Sequence, residues 1–244
     1  PPQAQAFATL IEGMDKSLGD MMDHLDALGV AGNTLIFFVG DNGSDAPLGH
    51  EHEVACAAPL RGKKGAHYEG GMRVPFIAAW ARPDAGNPHQ KKLPIPAGTI
   101  QTQQAAVQDF FPTLLAVAGI EPPAGHVVDG KPLQTLLTGK PDPERDETFL
   151  MHYPHAPHRS NYFTTLRQGE WKVIYHYFPT EVSGGSHYQL FHLKADPYEQ
   201  SDLAARQPEK LKSMMQALAE SLEQHHARYP VDPKTRRPLK PVLP

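Results

Sequence analysis

Hydrophobic positions along the chain follow two different periods. Phe7, Leu10, Ile11, Met14, Leu18, Met21, Met22, Leu25 and Leu28 recur at three- and four-residue spacings, which predicts an amphipathic helix over residues 3–28 that ends near Gly29. Thr34 to Val39 is instead an unbroken apolar run rich in β-branched and aromatic side chains, the pattern of a strand covered on both faces. It predicts a central parallel strand, with Val74 to Trp80 as the second candidate. Two such strands cannot bury each other on both faces, so the rest of the sheet is expected from a segment outside these residues.

Farther along, Arg82 to Gly98 is rich in Pro and Gly and reads as a loop, and Gln101 to Ala118 returns to helix. The Pro-rich tract from Gly139 to Glu144 predicts a linker, dividing an α/β part at residues 1–140 from a small α+β subdomain at 141–244. In that second part Thr148–Met151, Tyr162–Arg167, Trp171–Phe178 and Tyr188–Leu193 are short strand candidates separated by turn residues, which suits a small antiparallel sheet. Pro208 to Tyr229 is a final helix with Pro208 in its first turn. No internal repeat is present.

Two motifs carry candidate chemistry. Gly40-Asp41-Asn42-Gly43 follows the apolar run directly, so two oxygen donors stand at the C-terminal end of a strand, where open α/β sheets place their binding crevice. Such hard donors suit Ca²⁺ or Mg²⁺; the competing reading is an ordinary Asp-Asn-Gly turn. Residues 59–75 then set Gly62, Gly65, Gly70 and Gly71 around Lys63 and Lys64, which lets backbone close on a ligand while a cation is held over it. A lysine is a compact point charge with three donors, suited to a tetrahedral oxyanion. A solvated basic loop is the alternative.

Together the strand, Asp-Asn-Gly, and Leu60-Arg-Gly-Lys-Lys-Gly-Ala-His-Tyr-Glu-Gly-Gly-Met-Arg-Val-Pro75 resemble the C-terminal half of the type I, formylglycine-dependent sulfatases, arylsulfatase-like members of the alkaline phosphatase superfamily. Looser matches continue through Asp109-Phe-Phe-Pro-Thr-Leu-Leu115, Asp129-Gly130, Arg167 to Ile174, and Gln189 to Glu199, which ends in an Asp-Pro-x-Glu turn. The resemblance implies an α/β fold, part of a sandwich of helices around a mostly parallel sheet, followed by a small antiparallel sheet and a C-terminal helix. It also implies Asp41 and Asn42 as ligands of Ca²⁺, Lys64 as the group that contacts the sulfate ester, and Glu69 with Arg73 as a pair that fixes the loop. Lys63 takes a place that is often Gly, and Gly40 one that is often Ser. The family's nucleophile is a formylglycine made from a Cys/Ser-x-Pro-x-Arg motif, which is absent here; Cys56, in Cys56-Ala-Ala-Pro-Leu-Arg61, has one residue too many before its Pro. The nucleophile, the paired aspartates and the upstream Lys and His of the family are therefore expected on an N-terminal half, which would also carry any signal peptide. The implied reaction is hydrolysis of an O- or N-linked sulfate ester of a small molecule or carbohydrate, in which the formylglycine attacks sulfur.

Composition narrows this little. The 244 residues suffice for one good core or two small ones, and a net charge of −4 gives no case for nucleic acid. A single cysteine excludes an intrachain disulfide framework, and no apolar stretch is long enough for a transmembrane segment. Among fourteen histidines, His50, His52, His152, His155 and His158 stand out. His50-Glu-His52 lacks the i, i+4 spacing of a zinc pair. His50, His152 and His155 are instead expected to line the substrate pocket, the alternative being ordinary surface or core histidines. Two other functions compete: a phosphodiesterase or phosphonate monoester hydrolase of the same superfamily, which metal binding by His50 or His52 would favour, and an inactive fragment or interaction domain.

Overall fold

The computed structural model describes residues 2–46, 49, 50, 52–155, 161–180 and 183–244. It is a mixed α/β chain of two units: residues 2–40 with 75–147, and residues 41–74 with 148–244. Among the described residues no helix is long and apolar enough to cross a membrane.

The first unit opens with α1 (Pro2–Ala27), one residue from the predicted bounds at each end, closed where the Gly29 N–H donates to Asp26 O. None of its residues is buried, and Leu10, Ile11, Met14 and Met21 face solvent. β1 (Leu35–Val39) pairs with β2 (Phe76–Trp80) in the register Leu35↔Trp80 to Val39↔Phe76. The pairing is antiparallel, a correction to the parallel reading of this strand. The chain leaves the sheet at Gly40 and re-enters at Pro75, whose carbonyl accepts the Gly40 N–H at 3.1 Å, so β2 must run back along β1. One face of the ribbon packs Phe37, Phe76, Ala78 and Trp80 onto Leu93, Leu133, Leu136 and Leu137, while Ile77 on the other face is 61% exposed.

Three helices complete this unit, α3 (Pro88–Lys92), α4 (Phe110–Ala118) and α5 (Gln134–Leu137), while α2 (Glu69–Met72) belongs to the second unit. Asn87 caps α3, its Oδ1 accepting from the amides of His89 and Gln90. The helix expected from Gln101 begins only at a 3-10 turn, Val107–Asp109. Residues 101–106 are held extended because their side chains pair elsewhere: Gln101 Nε2 donates to Lys140 O, and the Gln103 amide exchanges two 2.8 Å hydrogen bonds with the backbone of Asp142. Arg145 adds a bond to Gln104 O and a buried ion pair with Asp109. These ties keep residues 140–147 with the first unit, whereas the sequence suggested a break at 140/141.

In the second unit β3 (Thr148–Tyr153), β4 (Phe163–Gln168), β5 (Trp171–His176) and β6 (Tyr188–His192) form an antiparallel sheet in chain order, as expected. Alternation gives it two apolar faces. Leu166, Val173, Tyr175, Tyr177 and Leu190 pack against Leu211, Met214, Met215, Leu218 and Leu222 of α6 (Pro208–Gln224), each such burial stabilising the fold by about 1.5–3 kcal/mol. Phe163, Ile174 and Phe191 point the other way and meet Tyr68. That opposite face is covered by the segment around α2, so the motif-bearing residues 41–74 fold with the C-terminal sheet.

Candidate functional site

Asp41 and Asn42 emerge at the end of β1, as their place in the sequence predicts. Asp41 is exposed, and the Asn42 Nδ2 donates to Gly43 O at 2.9 Å. The turn is then fixed by backbone. The Gly43 N–H donates to Gly71 O at 3.1 Å, and a Cβ on Gly43 would overlap Gly70 O and stand 2.7 Å from Gly71 Cα. Only glycine permits that approach. One residue on, Ser44 O accepts the Lys64 amide at 2.8 Å. Thus the Asp-Asn turn and the lysine loop are joined in two places. Lys64 itself is half-buried, and its ammonium makes no ion pair with a described residue.

The lysine loop closes on itself in the same manner. Gly70 N–H donates to Arg61 O at 2.7 Å, and a Cβ on Gly71 would come within 2.5 Å of Ala66 O. Below it lies a buried layer of polar groups on the sheet. Lys172 Nζ, with its side chain 1% exposed, sits 3.0 Å from Glu69 Oε1 and 2.7 Å from Glu199 Oε1. Glu199 Oε2 accepts the Glu69 amide at 2.6 Å, and its carbonyl accepts from Arg61 NH1 at 2.9 Å. Burial pushes the Glu199 carboxyl above the usual carboxylate range, and the Lys172 ammonium opposes that. The Arg61 guanidinium lies 3.8 Å over the Tyr68 ring, whose hydroxyl donates to Gln189 Oε1; His176 Nε2 meets the same oxygen at 3.0 Å. His67 is buried between Tyr68, Phe163 and His176 with neither ring nitrogen hydrogen-bonded. Burial first, then the His176, Lys172 and Arg61 charges, lower its pKa to about 2, so the ring is neutral.

The expected Glu69–Arg73 pair is present only as a 3.9 Å contact with an Arg73 side chain 58% exposed. Lys172 is the closer partner, and sequence reading passed over it along with Glu199, Gln189, His176 and His67. One signal was available: Lys172 is a charge inside the apolar run Trp171-Lys-Val-Ile-Tyr175 of a strand with both faces covered, and such a charge must be paired.

The histidines do not converge. His50 is exposed on a stretch hung from the same turn, through the Ser44 hydroxyl to Ala55 O and a bridge between Ala46 and Cys56. His155 is exposed beyond β3, its ring 4.7 Å from Tyr153, which stacks on Phe163 on the loop-covered face of the sheet. His152 lies on the opposite face, toward α6. Its Nε2 bonds Arg228 O at 2.6 Å, and since a carbonyl only accepts, this nitrogen carries the proton; Nδ1 then accepts from Thr164 Oγ1 at 2.7 Å. Both nitrogens are thereby committed, and burial lowers the pKa against the opposing pull of the Arg228 carbonyl. His152 thus ties the sheet to the C-terminal segment, on the opposite face from Tyr153, because one-residue steps along a strand alternate faces. His158 lies outside the described residues.

As a metal site, Asp41 and Asn42 offer two hard oxygen atoms, which fit Ca²⁺ as part of its six- to eight-oxygen shell. Among the described residues no cluster of three His, Cys, Asp or Glu side chains is placed to hold a metal.

A strand-end Asp-Asn turn locked to a glycine-caged lysine loop, beside an antiparallel sheet with a C-terminal helix, is the arrangement of the alkaline phosphatase-like class. The profile described as Sulfatase matches residues 2–120, and that described as N-sulphoglucosamine sulphohydrolase, C-terminal, matches residues 63–228. The chain belongs to the sulfatase family. It is 30% identical to steryl-sulfatase of Mus musculus over 91% of its length and 37% of that protein, and 28% identical to N-acetylgalactosamine-6-sulfatase of Canis lupus familiaris over 99% of its length and 45% of that protein. The chain thus spans less than half the length of these relatives. Among solved structures it is 26% identical to BT4656 in complex with its substrate D-glucosamine-2-N,6-O-disulfate (TM-score 0.67, 88% of this chain and 39% of that one). A second, Ps i-CgsB in complex with k-i-k-neocarrahexaose, shares the fold at 23% identity (TM-score 0.70, 91% and 43%).

Proposed function

We propose that this chain supplies the lysine-bearing half of a sulfuric ester hydrolase, together with part of its metal site, acting with an N-terminal half that carries the nucleophile. The observation that carries the reading is the double backbone lock, Gly43 to Gly71 and Ser44 to Lys64, which ties the turn bearing Asp41 and Asn42 to a lysine that makes no ion pair with any other described residue. That combination suits a tetrahedral oxyanion held between a divalent cation and an ammonium.

In this reading Lys64 binds and orients the sulfate group. Its ammonium donates to the sulfate oxygens and balances the charge that grows on the departing oxygen, while the loop backbone keeps it in place. Asp41 and Asn42 Oδ1 would hold part of the shell of Ca²⁺, or Mg²⁺ in its place, and the cation when bound would supply positive charge beside the sulfate oxygens. The substrate is a sulfated small molecule or carbohydrate, and the exposure of His50 and His155 is compatible with their contacting the remainder of it.

The test uses the enzyme that includes the N-terminal half. With an aryl sulfate as substrate, Lys64→Ala is expected to lower kcat/KM by about 10²–10³-fold, the cost of removing one preorganised charge donor. Asp41→Ala is expected to abolish the calorimetric Ca²⁺ titration. Wild-type turnover in both variants would sink the assignment.

A further inference from the structure

The strongest feature that the proposed reaction does not use is the buried charge layer beneath the lysine loop. Among the described residues Lys172 is the one cation there that meets two carboxylates while fully enclosed; Arg167 and Arg73 reach Glu69 only at 3.9 Å and are partly or largely exposed. A lone buried ammonium is costly, and so are two facing carboxylates, so the three groups are stable only as a set.

What the two carboxylates hold is the loop and not the sheet. Glu69 opens α2, the short turn containing Gly70 and Gly71, and its own amide is fastened to Glu199 Oε2. Gly71 O then receives Gly43, and Ser44 O receives Lys64. A continuous path of short bonds therefore runs from β5 through Lys172, Glu69 and α2 to the Asp41–Asn42 turn and the Lys64 backbone. We propose that Lys172 is a positioning residue for Lys64, clamping Glu69 and Glu199 so that the lysine loop and the Asp-Asn turn are held in register. The inference rests on the proposed role of Lys64, and it predicts local loosening of the loop rather than general loss of fold.

Hydrogen–deuterium exchange separates the two. In the enzyme with its N-terminal half, Lys172→Met keeps length and removes charge. The Gly43 and Lys64 amides are expected to exchange at least about ten-fold faster, with α6, on the other face of the sheet, keeping its protection. The kcat for an aryl sulfate is expected to fall about ten-fold or more with KM changed less, as for a group that acts through the geometry of the transition state. Glu69→Gln, which keeps shape and one acceptor for Lys172, should move the same amides in the same direction and serves alone if Lys172→Met does not fold. Unchanged exchange at Gly43 and Lys64 in a folded variant, or a uniform rise that includes α6, overturns the proposal. Lack of wild-type sulfate turnover would instead sink the proposed function, and the exchange rates would still report whether Lys172 holds the loop.

Discussion

The lysine loop depends on residues chosen for what they omit. Gly43 has neighbours that are backbone atoms of Gly70 and Gly71, which cannot rotate away as a flexible side chain would. Gly43→Ala is expected to destabilise the second unit by about 1–3 kcal/mol or more, read as a shift in the urea midpoint, and to weaken Ca²⁺ binding with it. His152 gives the opposite expectation. Its ring ties β4 to Arg228 on the far side of the sheet, so His152→Ala should lower stability by about 1–3 kcal/mol while leaving KM for an aryl sulfate unchanged. A raised KM with unaltered stability would restore the pocket role. Both residues were visible in the sequence, but the packing of Gly43 against Gly70 and Gly71 was not legible there, since it joins two loops about 27 residues apart. A histidine's role depends on which face it occupies, and that is set by the register of pairing.

Most elements formed where the local pattern placed them. α1, β3 to β6 and the start of α6 lie close to the positions predicted from periodicity and turn residues. The helix expected from Gln101 did not, because Gln101 and Gln103 bond to the 140–142 backbone instead of continuing a helical pattern. The Asp109–Arg145 pair is the anchor of that arrangement, buried on both sides, with Asp109 also accepting the amides of Ala106 and Lys131. Arg145→Met leaves the carboxylate enclosed without its partner and is expected to cost the first unit about 3–5 kcal/mol, measured by denaturant unfolding. In the second unit, Leu218→Ala in the middle of the α6 face should cost about 2–5 kcal/mol, since its neighbours on the sheet are already fully packed.

At the scale of the whole molecule, pH response follows from the buried layer under the loop. His67 is held neutral to about pH 2, whereas in the unfolded chain its pKa is 6.5. Below pH 6.5 the unfolded state therefore binds a proton that the native state refuses, and stability falls with pH. At 1.36 kcal/mol per unit, the loss between pH 7 and pH 4.5 from this ring is about 2–3 kcal/mol. Glu199, with its pKa raised by burial, acts with the opposite sign, since its native form binds protons more readily as pH falls. Urea unfolding of wild type and His67→Phe at both pH values isolates the histidine: the variant is expected to lose about 2–3 kcal/mol less on acidification, and equal losses would refute the assignment. The sequence by itself determined the family motifs, the place of Asp41 and Asn42 at the end of a strand, and the small antiparallel sheet with its helix, because these rest on local period, glycine spacing and adjacent residues. Only the tertiary structure decided that β1 and β2 run antiparallel, that residues 41–74 fold with the C-terminal sheet, that His152 turns away from the loop, and that Lys172, Glu69 and Glu199 meet beneath it. Those outcomes join residues far apart in the chain, and no local pattern encodes which side chains a fold will bring within 3 Å.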